Sequence, residues 1–83
     1  MARLLFFGKL ADIAGARERD WPLGAGVATV RDLIAAVSAE DAALGAAVSH
    51  GSVRYIVNET MAPLDDAIAD DDEIAFIPPV SGG

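Results

Sequence analysis

Glu73-Ile74-Ala75-Phe76-Ile77, followed at once by Pro78-Pro79, is the stretch on which the fold turns. In an extended chain successive side chains point to opposite faces, so Ile74 and Phe76 share one face while Ala75 and Ile77 share the other. Both faces are apolar, which suits a strand in the interior of a sheet. Neither proline has an N–H to donate, so ladder pairing stops there. Val80-Ser81-Gly82-Gly83 is left as an extended tail. Near the start of the chain, Ala2 to Phe7 is a short apolar run of the same two-sided character, Leu4 and Phe6 on one face and Leu5 and Phe7 on the other, and is ended by Gly8. If these two strands lie side by side both are central, which accounts for the apolarity of all four faces.

Working outward, Lys9 to Gly15 is too long for a tight hairpin and has room for a helical turn. Arg17 to Leu23 reads as a strand with Trp21 and Leu23 on one face, and Pro22 confines it to an edge or ends it. Gly24-Ala25-Gly26 makes a turn. Thr29 then provides an N-cap with Asp32 three residues on, a capping-box variant. Val30, Leu33, Ile34 and Val37 follow at helical spacing as one apolar stripe. An alanine-rich helical stretch runs from about Asp41 to Val48, with Gly51 as its stop. Val53 to Asn58 is rich in β-branched and aromatic residues and reads as a strand. Met61 to Asp72, with Pro63, reads as turns with a short strand at most, anchored by Leu64 and Ile68. The order strand, strand, helix, strand, strand gives an α+β protein. Its mixed sheet has about four to five strands covered on one face by a main helix. That arrangement is the β-grasp, or ubiquitin-like, fold. Residues 1–83 are expected to form one such domain, with 78–83 as a flexible C-terminal tail.

Composition excludes several functions. Thirteen acids against six bases give a net charge of -7, and the bases are scattered at Arg3, Lys9, Arg17, Arg19, Arg31 and Arg54. Nucleic acid is therefore not an expected partner, since phosphate contacts need clustered cations. There is no cysteine, which removes disulfides, thiolate metal sites and a cysteine nucleophile. Nothing approaches the roughly twenty apolar residues of a membrane span, and no secretory pattern is expected, so the reading is cytoplasmic. The lone His50 cannot build a zinc site or a triad by itself. Asp70 to Glu73 lacks the spaced ligands of a calcium loop. Seven of the thirteen acids lie between Glu59 and Glu73, a solvated acidic region or a steering patch.

The tail carries the functional signal. Glycine has no Cβ, so Gly82-Gly83 can enter a channel closed to larger residues and leaves the terminal carboxylate unhindered. Together, DEIAFIPPVSGG, the LLFFGKLADIAG opening, the TVRDL helix start and IVNE resemble the MoaD/ThiS family of sulfur carriers, and most of all its molybdopterin-synthase branch. One departure is Asp70-Asp71-Asp72, where that family usually has Asp-Gly-Asp. Asp tolerates left-handed backbone better than most residues, so this turn is expected to survive with some strain.

The resemblance implies that the Gly83 carboxylate is adenylated and then converted to a thiocarboxylate, with Gly82 aiding passage of the tail. Sulfur then goes to cyclic pyranopterin monophosphate to form the molybdopterin dithiolene. It implies a non-catalytic subunit that binds no cofactor stably, with ATP used by an E1-like, MoeB-like activating partner. A sulfur donor, a MoaE-like large subunit and a heterotetramer with it are the other implied partners. Strand parity puts Phe7 and Ile77 on a face away from the helix; the resemblance adds Met61, with Pro78, Pro79, Val80 and Ser81 as further partner contacts. Alternatives are a carrier for the thiazole of thiamin and a ubiquitin-like modifier joined to lysines through Gly83.

Overall fold

The computed structural model of the chain describes residues 1–79; the readings made for Val80, Ser81, Gly82 and Gly83 lie outside the described residues. Along the chain run β1 (Ala2–Phe6), α1 (Lys9–Ala14), β2 (Glu18–Trp21), α2 (Val30–Glu40), α3 (Ala42–Val48), β3 (Arg54–Val57), β4 (Thr60–Ala62) and β5 (Glu73–Ile77). The five strands form one sheet in the order β2-β1-β5-β3-β4. β1 and β5 pair in parallel, Leu4 opposite Ile74 and Phe6 opposite Phe76, and the remaining pairs are antiparallel. This is the expected mixed β-grasp sheet, with the two doubly apolar strands inside it.

One face of the sheet packs on the helices. Leu4, Phe6, Ile74 and Phe76 are buried there with Val30, Leu33 and Val37 of α2 in one core cluster. The Phe6 and Phe76 rings stack at 5.4 Å, and Tyr55 meets Phe76 edge-on at 5.9 Å. The Tyr55 hydroxyl donates to the Val48 carbonyl at 2.7 Å, so its polar end is satisfied where its ring is buried. β2 lies at an edge and stops at Trp21, before Pro22. Among the described residues no helix is long and apolar enough to cross a membrane.

The start of α2 forms as its sequence dictates. The Thr29 hydroxyl accepts from the Asp32 N–H at 3.2 Å, and the Asp32 carboxylate accepts from the Thr29 and Ala28 N–H groups. The Ala28 N–H, helped by Thr29 and by the charge of Arg31, holds the Asp32 carboxyl below its ordinary value of 3.8. A depressed carboxylate stabilises the fold above its unfolded pKa, and that contribution is lost as pH falls through the folded value. Asp32→Ala is therefore expected to melt lower than the parent at neutral pH. The gap should narrow once pH drops below about 3.8, as thermal melts across a pH series would record.

Two local readings are corrected. α3 ends at Val48 as expected, but its cap is Ser49 and not Gly51. Its last carbonyls already have donors, from Tyr55 to Val48 and from the Ser49 hydroxyl to Ala46, so no left-handed glycine is needed. The helical turn expected within Lys9–Gly15 is present as α1, closed by Gly15 at φ 78, whose N–H donates to the Ala11 carbonyl. The strain expected at Asp71 is absent: among the described residues the non-glycine positions at positive φ are Asn58 and Glu59. The Asp70-Asp71-Asp72 turn closes through Asp72, whose carboxylate accepts from the Ala69 N–H at 2.7 Å and the Asn58 amide at 2.8 Å.

The strain sits instead in the β3–β4 hairpin, where Asn58 and Glu59 have φ of 49 and 69. A two-residue turn of this kind favours Asn-Gly, since both positions are left-handed. Glu59→Gly relieves a left-handed non-glycine residue and is expected to stabilise the fold by about 1 kcal/mol. That is a rise of roughly 4–8 °C in Tm for a domain of this size, readable by calorimetry.

Candidate functional site: the open sheet face at the root of the tail

The face of the sheet away from the helices is built by the same alternation that fills the core. With Phe6 and Phe76 inward, Ile77 and Arg54, which pair directly, project outward. Continuing the β1–β5 register by one residue brings Phe7 abreast of Ile77. Phe7 is 47% exposed and Met61 is 66% exposed; Ile77 and Pro78 are half-buried and Pro79 is exposed. The structure thus places Phe7 and Ile77 together on the open face at the end of β5 that leads into the tail.

Met61 reaches the same face through a chain of pairings. It lies opposite Ile56, Ile56 opposite Ala75, and Ala75 opposite Leu5. Leu5, Ala75, Ile56 and Met61 therefore line up across four strands as one apolar row, and Phe7 and Ile77 extend it toward the tail. Sequence reasoning missed Leu5, Ile56 and Ala75 as members of this face. Their outward parity was readable, but the register that aligns them was not. The next row down is ionic, with Arg3 between Glu18 at 3.4 Å and Glu73 at 3.8 Å.

Gly8 supports the root of the tail. Its φ of 55 and ψ of -132 belong to a region that only glycine enters readily. A Cβ built there would stand 3.2 Å from Cγ of Pro78, so the turn after β1 gives the proline ring room to pack.

Among the described residues, the groups whose titration the fold shifts lie elsewhere. Asp32 caps α2. Asp70 is held below the usual carboxylate range by the Leu23 N–H and then by the N-terminal ammonium, and burial pushes the Tyr55 phenol up on the inner face. What the open face offers is apolar contact beside a departing chain.

The comparisons agree with that geometry. The ThiS family model matches residues 4–83. The chain belongs to the ThiS family. Among the family's curated members, the molybdopterin synthase sulfur carrier subunit of Chlamydomonas reinhardtii is 39% identical over 82 residues, covering 98% of this chain and 96% of that protein. The subunit of the same name from Escherichia coli K12 is 31% identical over 83 residues, covering all of both chains. Among solved structures, that of SAMP1 from Haloferax volcanii superposes with a TM-score of 0.83 at 33% identity, covering 99% of this chain and 98% of that one. The ThiS-family match takes in β5, both prolines and the terminal Gly82-Gly83 together.

Proposed function

We propose that this ThiS-family protein is the sulfur-carrier subunit of a molybdopterin synthase. The observation that carries the reading is the union of two things in one fold. A core strand leads through Pro78-Pro79 toward Gly82-Gly83 beside an exposed apolar face, and full-length relatives bear that subunit's name.

The chemistry follows from the weakness of a carboxylate as an electrophile. An E1-like partner joins the Gly83 carboxylate to AMP from ATP, releasing pyrophosphate. Sulfur from a donor then attacks the acyl carbon, AMP departs with the original carboxylate oxygen, and a thiocarboxylate remains on Gly83. This stored sulfur nucleophile enters the large subunit and bonds to a carbon of cyclic pyranopterin monophosphate; water then hydrolyses the acyl–sulfur bond, leaving the sulfur on the pterin and restoring the Gly83 carboxylate. A dithiolene needs two sulfurs, so two charged carriers act per product, in keeping with an assembly of two small and two large subunits. The carrier itself holds no cofactor stably.

The test is co-purification with a candidate large subunit followed by intact-mass analysis. A charged carrier is expected about 16 Da heavier, as sulfur replaces oxygen. Absence of that species from cells making the cofactor would remove the proposal. A second reading, protein modification through Gly83, is favoured by the likeness to small archaeal modifier protein 1. It would give Gly83 isopeptides on lysines of other proteins in the same spectra.

On this reading Phe7, Met61 and Ile77, with the tail residues Pro78, Pro79, Val80 and Ser81, contact the large subunit. Placing a charge at Ile77 would bury it unpaired in an apolar interface. Ile77→Asp is expected to weaken binding by at least about 100-fold while circular dichroism stays that of a folded protein. Unchanged affinity by calorimetry would remove the docking assignment.

A further inference from the structure

The cations that look scattered in sequence are sorted by the fold. Arg3 is paired with Glu18 and Glu73, Arg31 with Asp65, and the N-terminal ammonium with Asp70. Arg19 lies over the Trp21 ring at 5.4 Å. The remaining three, Lys9, Arg17 and Arg54, are exposed and make no ion pair among the described residues. All three sit at one end of the sheet. Arg54 is the cross-strand neighbour of Ile77, the Arg17 carbonyl accepts from the Phe6 N–H, and Lys9 opens α1 directly after Phe7-Gly8. Asp12 and Glu18 are the carboxylates that line, with Arg17, the groove they share with Phe7 and Gly8, and Glu18 is already paired with Arg3.

The opposite end of the sheet is acidic. Asp71 and Asp72 precede β5, Glu73 opens it opposite Arg3, and Glu59 sits in the turn at that same end. The uncommitted cations therefore lie around the root of the tail, with Asp12 and the Arg3-paired Glu18 among them, while Asp71, Asp72, Glu73 and Glu59 lie at the far end of the strands.

We infer that the large-subunit surface that receives this face is an apolar patch rimmed by carboxylates, which meet Arg54 and Lys9. The inference rests on the docking reading above and adds the chemistry of the partner's rim. A rim of that sign draws in the tail end of a chain whose overall charge is negative and turns the acidic end outward. Complementary rim charges act chiefly on the rate of encounter and are screened by salt.

Stopped-flow association of the intact carrier with its co-purified large subunit tests this. Raising the salt from about 50 to 500 mM is expected to slow association. Arg54→Glu and Lys9→Glu should each slow it about tenfold at low salt, with the deficit shrinking at high salt, and Asp71→Lys should change it less than about twofold. Association that speeds up with salt, or Arg54→Glu and Lys9→Glu carriers that bind as fast as the parent, would overturn the inference. Ile77→Asp separates the two readings. If it binds normally the docking face itself is wrong, whereas if it fails to bind while both charge variants bind at the parental rate, only the carboxylate rim is wrong.

Discussion

A carrier with one extra alanine after Gly83 is expected to fold, to dock on its large subunit and to deliver no sulfur. The proposed chemistry takes place on a single carboxyl carbon, and appending a residue moves that carbon about 3.3–3.6 Å farther along the chain. It also sets a Cβ where the last residue had none. A misplacement of about 1 Å at a reacting centre can cost on the order of 100-fold in rate, so thiocarboxylate formation should drop by more than that. The readout is the loss of the sulfur-bearing mass species, with binding to the large subunit measured alongside. The pairing that fixes β5 involves Glu73 to Ile77, well short of the added residue, so the melting temperature should not move. If cofactor production persisted undiminished, the chain's working part would not be its terminal carboxyl group.

The largest structural effect is expected at Gly45, in a helix whose sequence looks unremarkable. Gly45 is buried where α3 crosses α2, and a Cβ built on it would fall 2.5 Å from both Cα and Cβ of Ser38 and closer still to its hydroxyl oxygen. Contacts at that distance with backbone cannot be relieved by turning a side chain. The two helices must separate, and Val37 and Leu44, both fully buried, lose their packing. Overpacking in a core typically costs about 1–3 kcal/mol and sometimes more. Gly45→Leu is expected at or beyond the upper limit, lowering Tm by roughly 12–24 °C. Gly45→Ala should fall between this variant and the parent. A Gly45→Leu protein melting within a few degrees of the parent would show that α3 is free to move off α2.

These two sites differ in how far they can be read without a fold. Gly82-Gly83 is visible because its neighbours, a two-sided apolar strand and two prolines, give it context. Gly45 is invisible because it lies among alanines, and helix propensity says nothing about which neighbour crosses above it. The same distinction runs through the molecule. The Thr29–Asp32 box and the stripe from Val30 to Val37 are local and were legible, as was the placing of β1 and β5 inside the sheet. The open face was legible only in part. Parity turned Phe7 and Ile77 outward, yet the row Leu5, Ala75, Ile56 and Met61 exists only through register between strands distant in sequence. The turn at Asp71 was misjudged because its closure depends on Asn58, a residue of another hairpin. The gathering of Lys9, Arg17 and Arg54 at one end is likewise a product of topology.

The parallel pairing of β1 with β5 has a consequence for when the carrier becomes usable. Those strands are adjacent in the sheet yet separated by most of the polypeptide, so their contact closes a very long loop and forms late relative to local structure. Pro78 finds its support on Gly8, a residue of the turn that follows β1. The seating of Pro78 is thus tied to the integrity of the opening segment: a protease that nicked the molecule within its first few residues would remove the support of Pro78 from the far side of the sequence.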